Sequence, residues 1–404
     1  MARTLIDIHI LQNVPPSNLN RDDTGAPKTA VYGGVRRARV SSQAWKRATR
    51  KSFGDFLPPS ELGVRTRKVA EALAEHIRAL DAALDSSRAV ELAAETLRTA
   101  TGSKIEPPQR KAKKTADGAE SEPAAAPESA YLMYLSRRQL DALAELTLTG
   151  AKGGDPAALK KFFKDKEHKN AARRAVDTGH SVDIALFGRM VADSTDLNVD
   201  AATQVAHAIG VHRSDVESDY YTAVDDRNRD DETGAGMIGS IDFHSATLYR
   251  YAALDVDALH RNLGPGLRQD EAPSVPTQRA VAAFLEGFIT SLPTGKINTF
   301  GNHTLPAAVL VKLRTRRPIS FVDAFEQPVA RAEDGGYLAG SCARLVHLVP
   351  ELERQYEVAD DDHSWVLRVG PDTKELAALG KEVTLRQLLE EVADTVAARL
   401  ESGA

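Results

Sequence analysis

Between Thr4 and Leu11 the chain alternates Ile6, Ile8 and Ile10 with Leu5, Asp7, His9 and Leu11. That period of two predicts a strand with one wholly aliphatic face and one mixed face, as in a half-covered sheet. Gln12 to Ala30 is polar and carries Pro15, Pro16, Gly25 and Pro27, so it reads as a long loop, a feature that in compact domains often serves function. Val31 to Val40 is a second extended segment, opened by Gly33 and Gly34. Ser41 and Ser42 then offer N-caps for a helix from Gln43 to about Phe53. On that helix Gln43, Lys46, Arg47 and Arg50 fall at i, i+3, i+4 and i+7 and share a face. No acid lies between Asp23 and Asp55 to neutralise this basic comb, whereas a merely solvated face mixes in acids.

The pattern then turns helical. An Ala/Leu-rich amphipathic region covers 66–100, and helical spacing returns at Ser136 to Leu148 and Pro156 to Val176. The last of these reads as one strongly basic helix, with Lys160, Lys161, Lys164, Lys166, Lys169, Arg173 and Arg174. Between them 103–130, rich in Pro, Lys, Glu and Ala, has the composition of a disordered loop. Residues 57–180 thus form a helical insertion, leaving 1–56 and 181–404 as the other domain. Val182 to Val191 reads as a strand and Val199 to Ile209 as a second core helix. The polar run Asp215 to Ser240, ending in Gly234, Gly236 and Gly239, predicts a hairpin extension at about 212–244. Ser245 to Ala253 is β-rich, Pro276 to Leu292 helical with a Val281, Phe284, Leu285, Phe288 stripe, and Val309 to Leu313 a strand. Leu385, Leu388, Leu389, Val392 and Val396 mark a C-terminal amphipathic helix. With insertions removed, the order of strands and helices describes an α+β sandwich.

Composition narrows the function. A chain of 404 residues, 42% hydrophobic, can bury a sizeable core. No apolar run is long enough to span a bilayer and the first residues alternate rather than forming a greasy segment, so neither membrane nor export is expected and the reading is cytoplasmic. Cys342 is the lone cysteine, which excludes an internal disulfide or a thiolate metal cluster and suits a buried thiol in a reducing compartment. The formal net charge of −5 speaks against a polyanionic partner until its distribution is read. Residues 1–52 carry ten bases and three acids, a net of +7, while 351–404 carry thirteen acids and six bases, a net of −7. Such polarity fits one polyanion-facing surface, or copies meeting basic side to acidic side.

Catalytic patterns are weak. The Asp225 to Glu232 cluster lacks the alternating Asx positions and the central glycine of a calcium loop. Leu292 to Lys296 holds a Gly-Lys pair but not the first glycine of a phosphate loop. His9 and His303 are the best-placed candidates for acid-base cleavage of RNA, although a lone histidine more often serves a structural hydrogen bond. Binding is the better reading, because clustered Lys and Arg neutralise phosphates irrespective of sequence. Aromatic residues amount to 5%, too few for a base-stacking platform, so backbone clamping is the expected mode and a general single-strand binder is disfavoured.

The runs Leu19-Asn20-Arg21-Asp22-Asp23, Gly33-Gly34-Val35-Arg36-Arg37-Ala38-Arg39-Val40-Ser41-Ser42-Gln43, Lys46-Arg47-Ala48 and Arg50-Lys51-Ser52 resemble the N-terminal signature of the CasC family, the crRNA-binding backbone subunit of type I-E CRISPR Cascade. Phe187-Gly188-Arg189-Met190, Tyr220 to Asp226, Ser245 to Tyr251 and Leu292 to Lys296 resemble it in order and spacing, so the likeness spans about 4–313. The resemblance implies an RRM-like (ferredoxin-like) palm, helical fingers made by the insertion, and a β-hairpin thumb. It implies a non-catalytic protein without cofactor or metal, whose copies stack head to tail along crRNA with other Cascade subunits and leave bases free to pair with target DNA in antiviral defence. Carried over by position, Arg21, Lys28, Ser41, Gln43, Lys46 and Arg50 hold RNA phosphates or riboses. Met190 is either the wedge beside a displaced base or a core methionine. Thr294, Lys296 and Asn298 line the RNA groove or form a structural turn. Lys160, Lys161, Lys164, Lys166 and Lys169 touch duplex DNA or simply cover a solvated surface. An RNA-processing endoribonuclease on a related fold is the rival from another class.

Overall fold

The computed structural model describes residues 3–107, 126–191, 194–223, 237–264, 271–333, 335–358 and 363–402. The chain gathers into two compact units, one of Met1–Phe56, Thr203–Asp257 and Gln278–Ala404, the other of Leu57–Ala202 and Ala258–Thr277.

The first unit is built on the strand Leu5–Ser17, which runs antiparallel between Met237–Asp255 and Ala308–Arg314, with Ile8 opposite Ala252 on one side and Val311 on the other. From Ala308–Arg314 the sheet continues through Ser364–Arg368 to Lys381–Glu382, the last pairing parallel; from Met237–Asp255 it continues through Ala208–Gly210 and Val35–Val40 to Thr29–Tyr32. The result is a large mixed sheet packed with helices. The alternation in the first strand predicts one covered face, but Leu5 to Gln12 is buried without a break. Cross-strand partners show why. Ile10 faces Arg250, whose guanidinium lies 3.7 Å from the Trp45 ring of the helix Ser42–Phe56 and 4.7 Å from that of Phe288 in the helix Val275–Thr290. On the opposite face Leu11 and Tyr249 join Phe321, Phe325, Leu345 and Val349 beneath the helix Leu338–Gln355.

The one carboxylate on the mixed face is satisfied in place. The Asp7 carboxylate accepts from Arg314 Nε at 2.8 Å, Tyr251 OH at 2.8 Å and Ile319 N at 2.9 Å. Thr29–Tyr32 and Val35–Val40 form a two-residue hairpin instead of one extended segment. Gly33 and Gly34 both have positive φ (58° and 76°), the twist that such a turn requires. A Cβ on Gly33 would lie 1.6 Å from the Glu326 carbonyl oxygen.

Val199 to Ile209 is not a helix. Thr203–Val205 and Ala208–Gly210 are short strands recruited by Met237–Asp255, tertiary pairing overriding an alanine-rich local preference. The nineteen-residue Met237–Asp255 outruns the sheet, and its leading part pairs with Glu217–Ala223 as an antiparallel arm. On this arm Tyr220, Met237 and Ile238 are exposed. Residues 224–236, with the Asp225–Glu232 cluster, lie outside the described residues.

The second unit packs Val69–Leu80, Ser86–Thr101, Arg137–Ala151, Pro156–Phe162 and Lys166–Asp177 around Leu73, Ile77, Leu92, Leu97, Leu143, Leu159 and Val176. Short polar side chains start these helices: Asp85, Ser136, Asp155 and Asp165 each accept from first-turn amides. The basic stretch from Pro156 to Val176 is therefore two helices, because Asp165 caps a second start. Val182–Phe187 is a short helix instead of a strand. Of the expected loop 103–130, residues 108–125 lie outside the described residues, while its flanks pair as Ile105–Glu106 with Glu128–Ser129. Among the described residues no helix is long and apolar enough to cross a membrane.

Candidate nucleic-acid interface

The first unit carries a groove of about 1070 Å³ between the loop 19–28, the helix Ser42–Phe56 and the segment Leu292–Gly295. The loop is held by its own side chains. Asp22 Oδ1 accepts from Thr24 N (2.9 Å), Thr24 Oγ1 (2.7 Å) and Ala26 N (3.1 Å), and the Thr24 hydroxyl above all draws its carboxyl below the usual range. Asn18 Nδ2 donates to Gly25 O and Asp242 O, tying the loop to the sheet. Asn20 Oδ1 accepts from Ser41 N at 2.9 Å, and Ser41 Oγ from Ala44 N at 3.3 Å, so the loop and the start of the helix are clamped together. No acid occupies the first turn of this helix. Its amino end, lined here by Gln43 and Ala44, turns the positive end of the helix dipole to the groove.

Trp45, Thr49 and Phe53 bury the inner stripe of the helix. Gly287 lets it approach Val275–Thr290, since a Cβ there would lie 2.8 Å from Ser52 Oγ. This rotation sends Gln43, Arg47 and Lys51 into the groove. Across from them, Gly295 closes on the loop so tightly that a Cβ would lie 2.3 Å from Leu19 O and 2.4 Å from Asn18 O. Lys296, at φ 51°, takes the left-handed conformation that ends the wall.

Of the residues singled out in the sequence, Arg21, Lys28, Ser41, Gln43 and Thr294 line this one groove. Arg47 and Lys51 join them; both were visible as bases, and their spacing of four and eight from Gln43 was the signal for their place. Lys46, Arg50 and Lys296 are not part of the groove wall. Lys46 is half buried, and desolvation holds its ammonium below the ordinary range. Arg37, counted among the N-terminal bases, is buried and donates to the carbonyls of Tyr32, Gly210, Phe325 and Glu326, which makes it a support of the glycine hairpin.

In the second unit Met190 is 82% exposed, excluding a core role. The neighbouring Arg189 holds the turn by donating to Leu197 O (2.8 Å) and Val176 O (2.9 Å). Lys160, Lys161, Lys164, Lys166 and Lys169 are all exposed across the two short helices. Phe162 stacks on His168 at 3.6 Å and fixes one helix against the other.

The catalytic candidates separate. His9 is buried, and its Nδ1 lies 2.9 Å from Tyr249 OH. Tyr249 OH also accepts from Phe321 N, and burial and the Arg314 and Lys312 charges keep the imidazole neutral. His9 cannot meet a phosphodiester. His303 is exposed. Among the described residues no group of three or more His, Cys, Asp or Glu is arranged to hold a metal ion.

The family model described as CT1975-like protein matches residues 6–391. The chain belongs to this family. The CasC-like resemblance read from the N-terminal signature is thereby borne out. The CT1975-like span takes in the groove loop, the basic helix and the Leu292–Gly295 wall. Two solved chains are similar over nearly their full lengths. One comes from a structure titled "CRISPR RNA-guided surveillance complex, pre-nicking", with 32% identity, TM-score 0.77, and coverage of 97% of this chain and 100% of that one. The other comes from a "CRISPR RNA-guided surveillance complex", with 29% identity, TM-score 0.68, and coverage of 97% and 99%. No curated protein matches the chain.

Proposed function

We propose that this chain is the crRNA-binding backbone subunit of a CRISPR RNA-guided surveillance complex of type I-E, a non-catalytic protein that polymerises along the guide. The groove supports this reading most directly: Arg21, Lys28, Arg47 and Lys51 and a helix amino end converge on one cleft. Cations and main-chain amides grip phosphates without reading sequence, which leaves bases free to pair. In this reading the sheet of the first unit is the RRM-like palm, the helices of the second are the fingers, and the Glu217–Ala223 arm is the thumb. Exposed Met190 wedges beside a displaced base, and Lys160 to Lys169 attract the backbone of target DNA. Thr294 contributes a further RNA contact from the groove wall, and Lys46, Arg50 and Lys296 do so from just outside it. Head-to-tail copies and other Cascade subunits are the protein partners.

The test is co-purification of the tagged chain from its host with sequencing of the bound nucleic acid, in the parent and in Arg21→Glu/Arg47→Glu. The expected result is uniform repeat-spacer RNA with companion proteins in the parent, and loss of that RNA in the variant. Recovery of the chain alone, or with heterogeneous strands, overturns the assignment.

A further inference from the structure

We propose that Lys28, Arg39 and His207 form a second phosphate-binding subsite, which carries a single-stranded RNA from the groove onto the Thr29–Val40 hairpin; this rests on the RNA reading of the groove. Lys28 already lines the groove. The hairpin register, Thr29 opposite Ala38 with Arg39 N bonded to Lys28 O at 3.0 Å, sets Lys28 beside Arg39 on one side of the hairpin. The next pairing, Arg39 opposite Ile209, brings up the chain that carries His207. Arg39 Nε is fixed by Thr29 O at 3.2 Å, and Arg39 Nη1 lies 3.2 Å from His207 Nδ1.

Arginine only donates, so Nδ1 is the acceptor in that contact and the imidazole proton sits on Nε2. His207 is exposed, which leaves this donor open to a ligand. Three donors from three segments therefore stand together, and among the described residues neither Lys28 nor Arg39 is paired with a carboxylate. Cations left to solvent splay apart; here the Thr29 carbonyl holds Arg39 and the hairpin register places Lys28 beside it. A phosphodiester relieves that repulsion and accepts from all three.

The subsite also has a pH signature. Desolvation, then the Arg39 and Lys28 charges, lower the imidazole pKa in the free protein. Arg39 and Lys28 are the charged groups that face it. A bound phosphate reverses the local field and raises the pKa, and the protonated ring exchanges its Arg39 contact for the phosphate, so RNA binding takes up a proton and affinity rises as pH falls.

Full-length protein titrated with labelled oligouridylate, across salt and at about pH 6 and about pH 8, tests this. Arg39→Gln is expected to weaken binding roughly threefold to tenfold and to reduce the salt slope by about 0.7, one single-strand phosphate contact. His207→Gln is expected to weaken binding at the lower pH and to remove the gain on acidification, with both variants retaining the parent's circular dichroism. If both bind like the parent at either pH while Arg21→Glu/Arg47→Glu loses RNA, the strand bypasses the hairpin and the subsite is overturned. If the parent itself binds no RNA, the groove reading fails with it.

Discussion

Arg250 is a fully buried cation whose hydrogen-bond partners are neutral. Its Nη1 donates to Gln12 Oε1 at 2.7 Å and its Nη2 to the Phe288 carbonyl, while its plane lies over Trp45. Burial alone pulls the guanidinium down to about 9. The side chain joins the central strand to both helices on that face, but it does so at a desolvation cost that an apolar residue of similar length avoids. Arg250→Met is therefore expected to be more stable than Arg250→Lys by roughly 1–3 kcal/mol, because lysine keeps the buried charge and loses both the fork and the stacking. Chemical denaturation of the two variants measures this; a more stable lysine variant would show that charge rather than shape holds the site. Gly33 makes a simpler case. Positive φ and a carbonyl oxygen 1.6 Å from a Cβ leave no room for a side chain, and Gly33→Ala is expected to cost more than about 2 kcal/mol in the same measurement.

The elements show what a single sequence discloses and what it withholds. The helix Ser42–Phe56 was legible because its cap, its acid-free first turn and its basic residues are all local features. Which of those bases face the groove was not, since that depends on Trp45 docking against Arg250 and on the glycine contact at Gly287, contacts made with residues more than two hundred positions away. The same limit explains Val199 to Ile209: alanine content argues for helix, but an open edge of Met237–Asp255 recruits strands there. The basic stretch divides into two helices for a local reason, the capping power of Asp165, which its run of lysines conceals. At the groove wall the glycine of Leu-Pro-Thr-Gly-Lys gains its meaning from the carbonyls of Asn18 and Leu19. Gly295→Ala is expected to push that wall from the loop at a cost of roughly 1–3 kcal/mol, and to weaken RNA binding beyond what the change in folding stability accounts for. Parallel RNA titration and thermal unfolding separate the two effects, and unchanged RNA affinity would mean that the wall does not touch the strand.

At the scale of the molecule, a net charge of −5 coexists with a basic groove because charge is segregated along the chain, and RNA affinity should track the groove rather than the sum. Acid has a separate effect on the fold. His180 and His212 each accept a hydrogen bond through one ring nitrogen, from Gln139 Nε2 and Thr247 N, and an imidazolium has no acceptor to offer; His9, buried beside Tyr249 OH, is the third such imidazole. Burial lowers all three pKa values, that of His180 to about 4 with the Arg189 charge assisting, and burial takes His244 to about 4 as well. The unfolded chain binds protons on these histidines from about pH 6.5 downward while the folded chain does not. Stability is thus complete above that pH and declines below it, by up to about 1.4 kcal/mol per pH unit for each histidine that remains neutral in the fold. His180 lies in one compact unit and His9, His212 and His244 in the other, so both units should weaken together on acidification. Thermal unfolding between about pH 7.5 and pH 5 is expected to show a falling Tm, with a shallower fall in His180→Gln than in the parent. A flat profile would mean that these imidazoles charge within the fold, and that the acceptor geometry does not govern their protonation.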